Sequence, residues 1–311
     1  MFNPRAHIRA IDASLSLALL LALAPPVGAQ SPDDGLLMPR RAVSAGVVYT
    51  HDSWDQYWEG QLKRSNGNIG TLTTQSVTYM AGYGVTDRLS VMATLPYVWT
   101  RASQGTLRGL SGFQDLAFAA KYRLLATPVA EHGVFNAFAV AAVAIPSSKY
   151  TPDFLPLSIG TNGRRASGRL TLNFQSTSAW FANASAAYTW CSNVRLDRGS
   201  YYTNGQLYTT NEVAMPNVFD YTLSAGYRRG RLLIPLSLMQ QRTLGGGDIR
   251  RQDMPFVSNR MDFTRLDASA MYALKVPKDV MIRLGLGQVL NGRNVGQSTT
   301  FTSGVLYAFQ F

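Results

Sequence analysis

The chain has 311 residues, 46% of them hydrophobic and 11% aromatic, with a formal net charge of +11 and one cysteine. A single cysteine, Cys191, excludes an internal disulfide framework, and beyond the N-terminal region no run approaches the ~20 apolar residues that a spanning helix requires. The hydrophobic content is instead spread by alternation, and no Pro/Ser-rich linker or composition break divides the chain, so it reads as one large all-β domain.

Residues 1–29 have the form of a secretory signal: Arg5 and Arg9, the apolar run 14–24, then Val27-Gly28-Ala29 as a small-residue cleavage site. The apolar run is too short to span a bilayer, and Pro25-Pro26 follows at once, which argues against a membrane anchor. Cleavage after Ala29 removes Arg5, Arg9 and Asp12 and takes the net charge from +11 to +10. Such a basic balance suits nucleic acid, anionic lipid or an acidic solute. Export, and the lack of any nucleic-acid motif or Lys/Arg-rich tail, sets nucleic acid aside.

Residues 30–41 are polar around a Leu36-Leu37-Met38 patch and read as a periplasmic lead-in, leaving 42–311 as the barrel domain. Strand one is expected over 42–55. The stretch 76–99, SVTYMAGYGVTDRLSVMATLPYVW, gives strands two and three, folded about the turn at 84–87. Val77, Tyr79, Ala81 and Tyr83 share a face on the first arm, and Leu89, Val91, Ala93, Leu95, Tyr97 and Trp99 on the second; Arg88, Ser90, Met92 and Thr94 face the other way. Strand four, 114–125, puts Phe118 and Tyr122 on its apolar face and Asp115, Lys121 and Arg123 opposite.

Strand five, 134–146, is apolar on both parities, so its facing is open. Strand six begins at Arg169. Strand seven places Trp180 and Trp190 at the two ends of an alanine-rich face, the pattern of an aromatic girdle. Strands eight and nine form a hairpin about Arg229-Gly230, and strands ten (262–274), eleven (281–290) and twelve, ending at Phe311, complete the set. The result is a transmembrane up-and-down antiparallel β-barrel of twelve strands whose connections alternate long and short, with both termini on one side. The short turns then lie in the periplasm, and the loops around Gly67, Asn162 and Asn204 outside. The loop bases Lys63, Arg64, Arg101, Arg108, Lys149, Arg164, Arg165, Arg250, Arg251 and Arg260 would also face outside, where lipopolysaccharide phosphates are partners.

By the same parity the lumen receives Arg88, Lys121, Arg123, Arg169, Arg228, Arg231, Arg265 and Arg283 against Asp115, Asp220 and Asp267. Two expectations follow: a basic ring that favours anions, or pairing of these arginines with the aspartates or with main-chain carbonyls to hold the lumen shut. No phosphate loop, calcium repeat or metal-ligand spacing is present, and no cofactor is implied. Only His51 and His132 lie beyond residue 29, so a Ser-His hydrolase acting on lipid would depend on one of them, and neither can be placed beside a serine by parity.

The segments YGVTDRLSVMATLPYVW (83–99) and GFQDLAFAAKYRLL (112–125), with LLMPRRAVSAGVVYTHDSWDQYW (36–58) and the terminal GVLYAFQF (304–311), resemble the outer-membrane β-barrel transporter family of the phenol-degradation meta-pathway. The resemblance implies a Gram-negative outer-membrane channel passing small aromatic or other hydrophobic compounds by passive diffusion. The C-terminal Phe311, with apolar residues at alternate positions before it, resembles the signal read by the barrel-assembly machinery. Two other classes stay open on the residues alone: a structural or adhesive barrel working through its loops, and an outer-membrane lipid hydrolase.

Overall fold

A computed structural model describes residues 31–203, 205–250 and 255–311. The signal reading at 1–29, together with Gln30, Asn204 and Arg251, lies outside the described residues. The fold is a closed antiparallel barrel of twelve long strands: β1 Ala42–Trp54, β2 Leu72–Gly84, β3 Leu89–Ala102, β4 Asp115–Val129, β5 Gly133–Pro146, β6 Arg165–Ser176, β7 Trp180–Cys191, β8 Val218–Arg229, β9 Leu232–Thr243, β10 Asp262–Ala273, β11 Val280–Arg293 and β12 Thr299–Gln310. Each pairs with its sequence neighbours, and β1 pairs with β12 from Ala42↔Gln310 to Ser53↔Thr299, which closes the ring. Closure is what lipid demands, because each unpaired backbone group in hydrocarbon costs several kcal/mol.

Strands of 12 to 15 residues exceed the roughly 9–11 that a tilted strand needs to cross the hydrocarbon core. Alternation decides which face meets lipid. Tyr79, Val91, Phe118, Leu170, Leu223 and Leu236 are exposed on the outside, while Ser90, Lys121, Thr171, Asn183 and Thr222 are buried within. Aromatic contacts gather at both ends of the outer face: Tyr49, Tyr97, Trp99 and Phe113 near the long loops, and Trp180 against Tyr227 with Tyr307, Phe309 and Phe311 near the short turns. These are the two interfacial girdles.

The facing of β5 is settled by its partners. Phe138 and Val140 point inward beside Arg123 and Lys121, and Val143 and Ile145 point to lipid. A register shift between Arg123 and Leu125 puts Leu124 and Leu125 both on the outside. β6 begins at Arg165 rather than Arg169, so Arg165 belongs to the wall and not to the preceding loop.

The loops carry structure that alternation does not announce: a hairpin of Gln56–Glu59 with Leu62–Ser65, and two small ladders, Val194–Arg195 with Glu212–Val213 and Tyr201–Thr203 with Gln206–Tyr208. Asn294, at φ 56° where Asn is tolerated, ties three loops together. Its Oδ1 accepts from the Gly60 and Ile249 amides, at 2.8 and 3.0 Å, and its Nδ2 donates to Asp248 Oδ1 and the Arg260 carbonyl, at 2.8 and 2.7 Å. Arg293 grips Asp248 with two bonds of 2.7 Å, which holds the Asp248 carboxyl down at about 2.

Candidate functional site: the plugged lumen

Residues 30–41 were expected in the periplasm, but the described part of that stretch enters the barrel from the short-turn end. The reason is chemical, since the patch that looked like a polar tail with a few leucines finds both an apolar and a charged partner inside. Leu36 packs on a cluster of inward residues from five strands, Phe181, Leu233, Met271, Met281, Leu306 and Ala308. Met38 is buried beside Ser44 and Gly82. Gly35 lies so close to β6 and β7 that a Cβ there would run into the side-chain amides of Asn173 and Asn183, which would have to shift.

Lys121 anchors the strap. Its side chain is fully buried, and its Nζ donates to Asp34 Oδ1 at 2.7 Å, the Asp34 carbonyl at 2.5 Å and the Ser31 carbonyl at 3.0 Å, while lying 5.1 Å from the Phe138 ring centroid. A buried ammonium is tolerable only with such saturation of its donors. Asp34 is also held by Ser31 and by the Leu36 amide, so the strap makes a tight local turn around its own carboxylate.

Beside the strap the inner wall is polar. Asn136, Asn173, Asn183 and Ser224 hand one hydrogen bond to the next across β5, β6, β7 and β8, at 3.0, 2.7 and 3.0 Å. Toward the long loops Arg169 is bound to Ser185 and Asp220, at 2.7 Å each, and Arg265 to Asp267 at 2.9 Å. Asp115 is bound by Arg165 at 2.7 Å and by the Tyr150 hydroxyl at 2.6 Å. Tyr150 belongs to loop 147–164, which folds into the long-loop mouth: Leu157 is fully buried, its carbonyl accepting from Thr100 Oγ1 at 2.6 Å, and Ile159 packs on Val98. Burial, and then the Asp115 carboxylate, push the Tyr150 hydroxyl well above its usual range, so it stays a donor. Alongside the strap lies a cavity of about 340 Å³, lined from Arg228, Leu233 and Met271 near the short turns to Met239, Arg265 and Asp267 farther in.

The lumen charges expected from parity divide into three groups. Lys121, Arg169, Arg265, Asp115, Asp220 and Asp267 are inside and paired. Arg228 and Arg283 line the cavity, and Arg231 stands at the short turn before β9 with one buried guanidinium nitrogen unbonded among the described residues. Arg88 does not reach the lumen: it is exposed in the turn before β3, while Arg123 spends a guanidinium NH on the Asp87 carbonyl of that turn, at 2.7 Å. An uninterrupted basic ring at one depth is therefore not formed. The residues that parity did not single out are Asp34, Arg165 and the asparagine chain, whose only sequence signal is amides at inward positions.

His51 stands on the outward parity opposite Gln75 and Phe301, and His132 lies in the short turn 130–132. Among the described residues no three His, Cys, Asp or Glu gather as a metal site.

A solved structure shares this architecture. The COG4313 outer membrane channel from Pseudomonas putida F1 superposes with a TM-score of 0.72 at 17% identity, over 90% of this chain and 100% of that one. Looser likeness extends to the KdgM porin in complex with disordered oligogalacturonate, at 10% identity and TM-score 0.47 over 85% and 99% of the chains. The TodX deltaS2S3 mutant monoaromatic hydrocarbon channel gives 11% and 0.44 over 88% and 91%. These neighbours are channels and porins rather than enzymes. No curated protein sequence matches. The profile of the family described as "Putative MetA-pathway of phenol degradation" matches residues 66–304, and the chain, a barrel of the Gram-negative outer-membrane type, belongs to that family.

Proposed function

We propose that the protein is an outer-membrane channel for small solutes, including aromatic and organic anionic ones, which cross by passive diffusion when the strap at 31–38 leaves the lumen. One observation carries the reading: a closed barrel keeps a polar, charge-paired inner wall around a cavity of about 340 Å³, stopped by a short segment of its own chain rather than by wall residues. A barrel whose loops alone did the binding would need no such interior, and side chains suffice to fill a narrow one. The likeness to the outer membrane channel from Pseudomonas putida F1 supports the same reading, and no catalytic residue is assigned. Uptake of radiolabelled small solutes into proteoliposomes tests it. Uptake above protein-free vesicles is expected, and equal leakage would refute the channel.

On this reading the short turns face the periplasm, and the protein is cut after Ala29, which intact mass of the membrane form would verify. Exposed Lys149, Arg164 and Arg195 border a groove over the outward Trp190 and Ile145, a fitting seat for lipopolysaccharide phosphates. The exposed Phe311, edge-on to Phe309, is the feature offered to the assembly machinery.

A further inference from the structure

The lumen cavity is lined by six charged side chains: Asp33, Asp34, Arg228, Arg265, Asp267 and Arg283. Arg265 is engaged by Asp267, and Asp34 by Lys121. Asp33 is exposed at the cavity edge. Two guanidiniums are left over, Arg228 on β8 and Arg283 on β11, and neither forms a salt bridge among the described residues. The Arg283 Nε is buried there without a hydrogen-bond partner. The acid whose charge acts on Arg228 is Asp34, and its two oxygens already accept from Lys121, the Leu36 amide and Ser31.

The same stretch of wall carries a second chemistry, because Leu233 is the ladder partner of Arg228 and Met271 that of Arg283. Phe181, Leu233, Met271 and Leu306 line the same cavity, and Leu36 of the strap closes it. A small inorganic anion would satisfy the guanidiniums and leave this wall unfilled. A neutral aromatic would fill the wall and leave two half-buried guanidiniums without a carboxylate, the Arg283 Nε among them. Only a molecule with both features matches the site, and the volume of about 340 Å³ sits at the small end of the roughly 300–1,000 Å³ spanned by ligand pockets.

We propose that this cavity is a binding subsite for a small organic carboxylate with an apolar body, its carboxylate held by Arg228 and Arg283 and its body against Phe181, Leu233, Met271 and Leu306. The assignment rests on the channel reading only for its place on a permeation path, since binding is measurable without transport.

The test is equilibrium dialysis of the protein in lipid nanodiscs, with empty discs subtracted, against three probes: benzoate, acetate and benzyl alcohol. Benzoate should bind saturably, one per chain and at least about tenfold tighter than either of the others, as expected for adding or removing a hydrogen-bonded charge pair. Arg228→Gln and Arg283→Gln should each weaken benzoate about tenfold and leave benzyl alcohol unchanged, while Arg228→Lys and Arg283→Lys retain part of the affinity. Heat-shifted gel mobility reports that each variant is folded, and Arg88→Gln, in the exposed turn, should bind as the parent does. Equal affinity for benzoate and benzyl alcohol, equal affinity for benzoate and acetate, or benzoate binding untouched by both glutamine variants would overturn the subsite. Solute uptake without saturable benzoate binding removes the subsite and leaves the channel; binding without uptake does the reverse.

Discussion

Replacing Asp34 by Asn should release the strap without unfolding the barrel. Lys121 has no exposed side-chain surface and Asp34 keeps about a quarter of its own, with 2.7 Å between them. Removing one partner of a buried pair costs roughly 3–5 kcal/mol, because the other charge is left uncompensated. The barrel does not have to bear that cost, since its strands are held by their ladders, whereas the strap is held by Lys121, the Leu36 contacts and Met38. Undocking lets water reach Lys121, so the penalty falls on the docking equilibrium. At 1.4 kcal/mol per factor of ten, 3 kcal/mol raises the undocked fraction more than about a hundredfold. Thermolysin cleavage at Leu36-Leu37 follows that fraction when reclosing is fast, so the initial cutting rate should rise by a similar factor. Asp34→Asn combined with Lys121→Gln, which removes both charges and keeps a donor for the Ser31 carbonyl, should recover most of the protection. Parent-like cutting of Asp34→Asn, or a double variant cut as fast as the single, would refute the reasoning.

Three further outcomes are expected. Leu236→Arg, on the lipid face, should lower unfolding stability in bilayers by about 2–4 kcal/mol, whereas Ser237→Arg, in the lumen opposite Asp267, should cost under about 1 kcal/mol; equal losses would show the facing to be wrong. Epitope tags at Gly67 and Gly199, where added atoms meet nothing within 4 Å, should be reached by antibody on intact cells, and labelling only after outer-membrane rupture would invert the topology. Asp248 has a folded-state pKa depressed to about 2 by Arg293, so its tie is fully present above the unfolded carboxyl value of about 3.9 and is lost as pH falls through about 2. Hydrogen exchange at the Ile249 amide should therefore stay slow at pH 4 and lose protection only near pH 2. Protection already lost at pH 4 would contradict this.

Strand number and facing were legible because one face of nearly every strand meets lipid and must be apolar, as in the run Trp180, Ala182, Ala184, Ala186, Tyr188. Where the lumen is not polar the signal fades. β5 reads as apolar on both sides because Phe138 packs under Lys121 and Val140 also faces inward. The resemblance of the hairpin 83–99 to a barrel family held, and the family profile covers that hairpin. The fate of residues 30–41 was not legible, because nothing local in Asp34 or Leu36 announces a partner that lies 87 residues away in Lys121. Parity also cannot tell a turn residue from a wall residue: Arg88 was counted into the lumen although the strand begins one residue later, and Arg165 out of it although the strand begins there rather than at Arg169. Arg169 is paired with Asp220 and Arg265 with Asp267. Arg228 and Arg283 are the exceptions on which the carboxylate subsite rests.

The central claim is that solute passes through the lumen and that residues 31–38 close it. Planar-bilayer recording of the purified protein beside a form lacking residues 31–38 tests both parts at once. The intact protein should give small, infrequent steps, and the shortened one larger and more frequent steps. A shortened protein that folds and inserts yet gives no steps, or steps of parent size and frequency, would contradict the account.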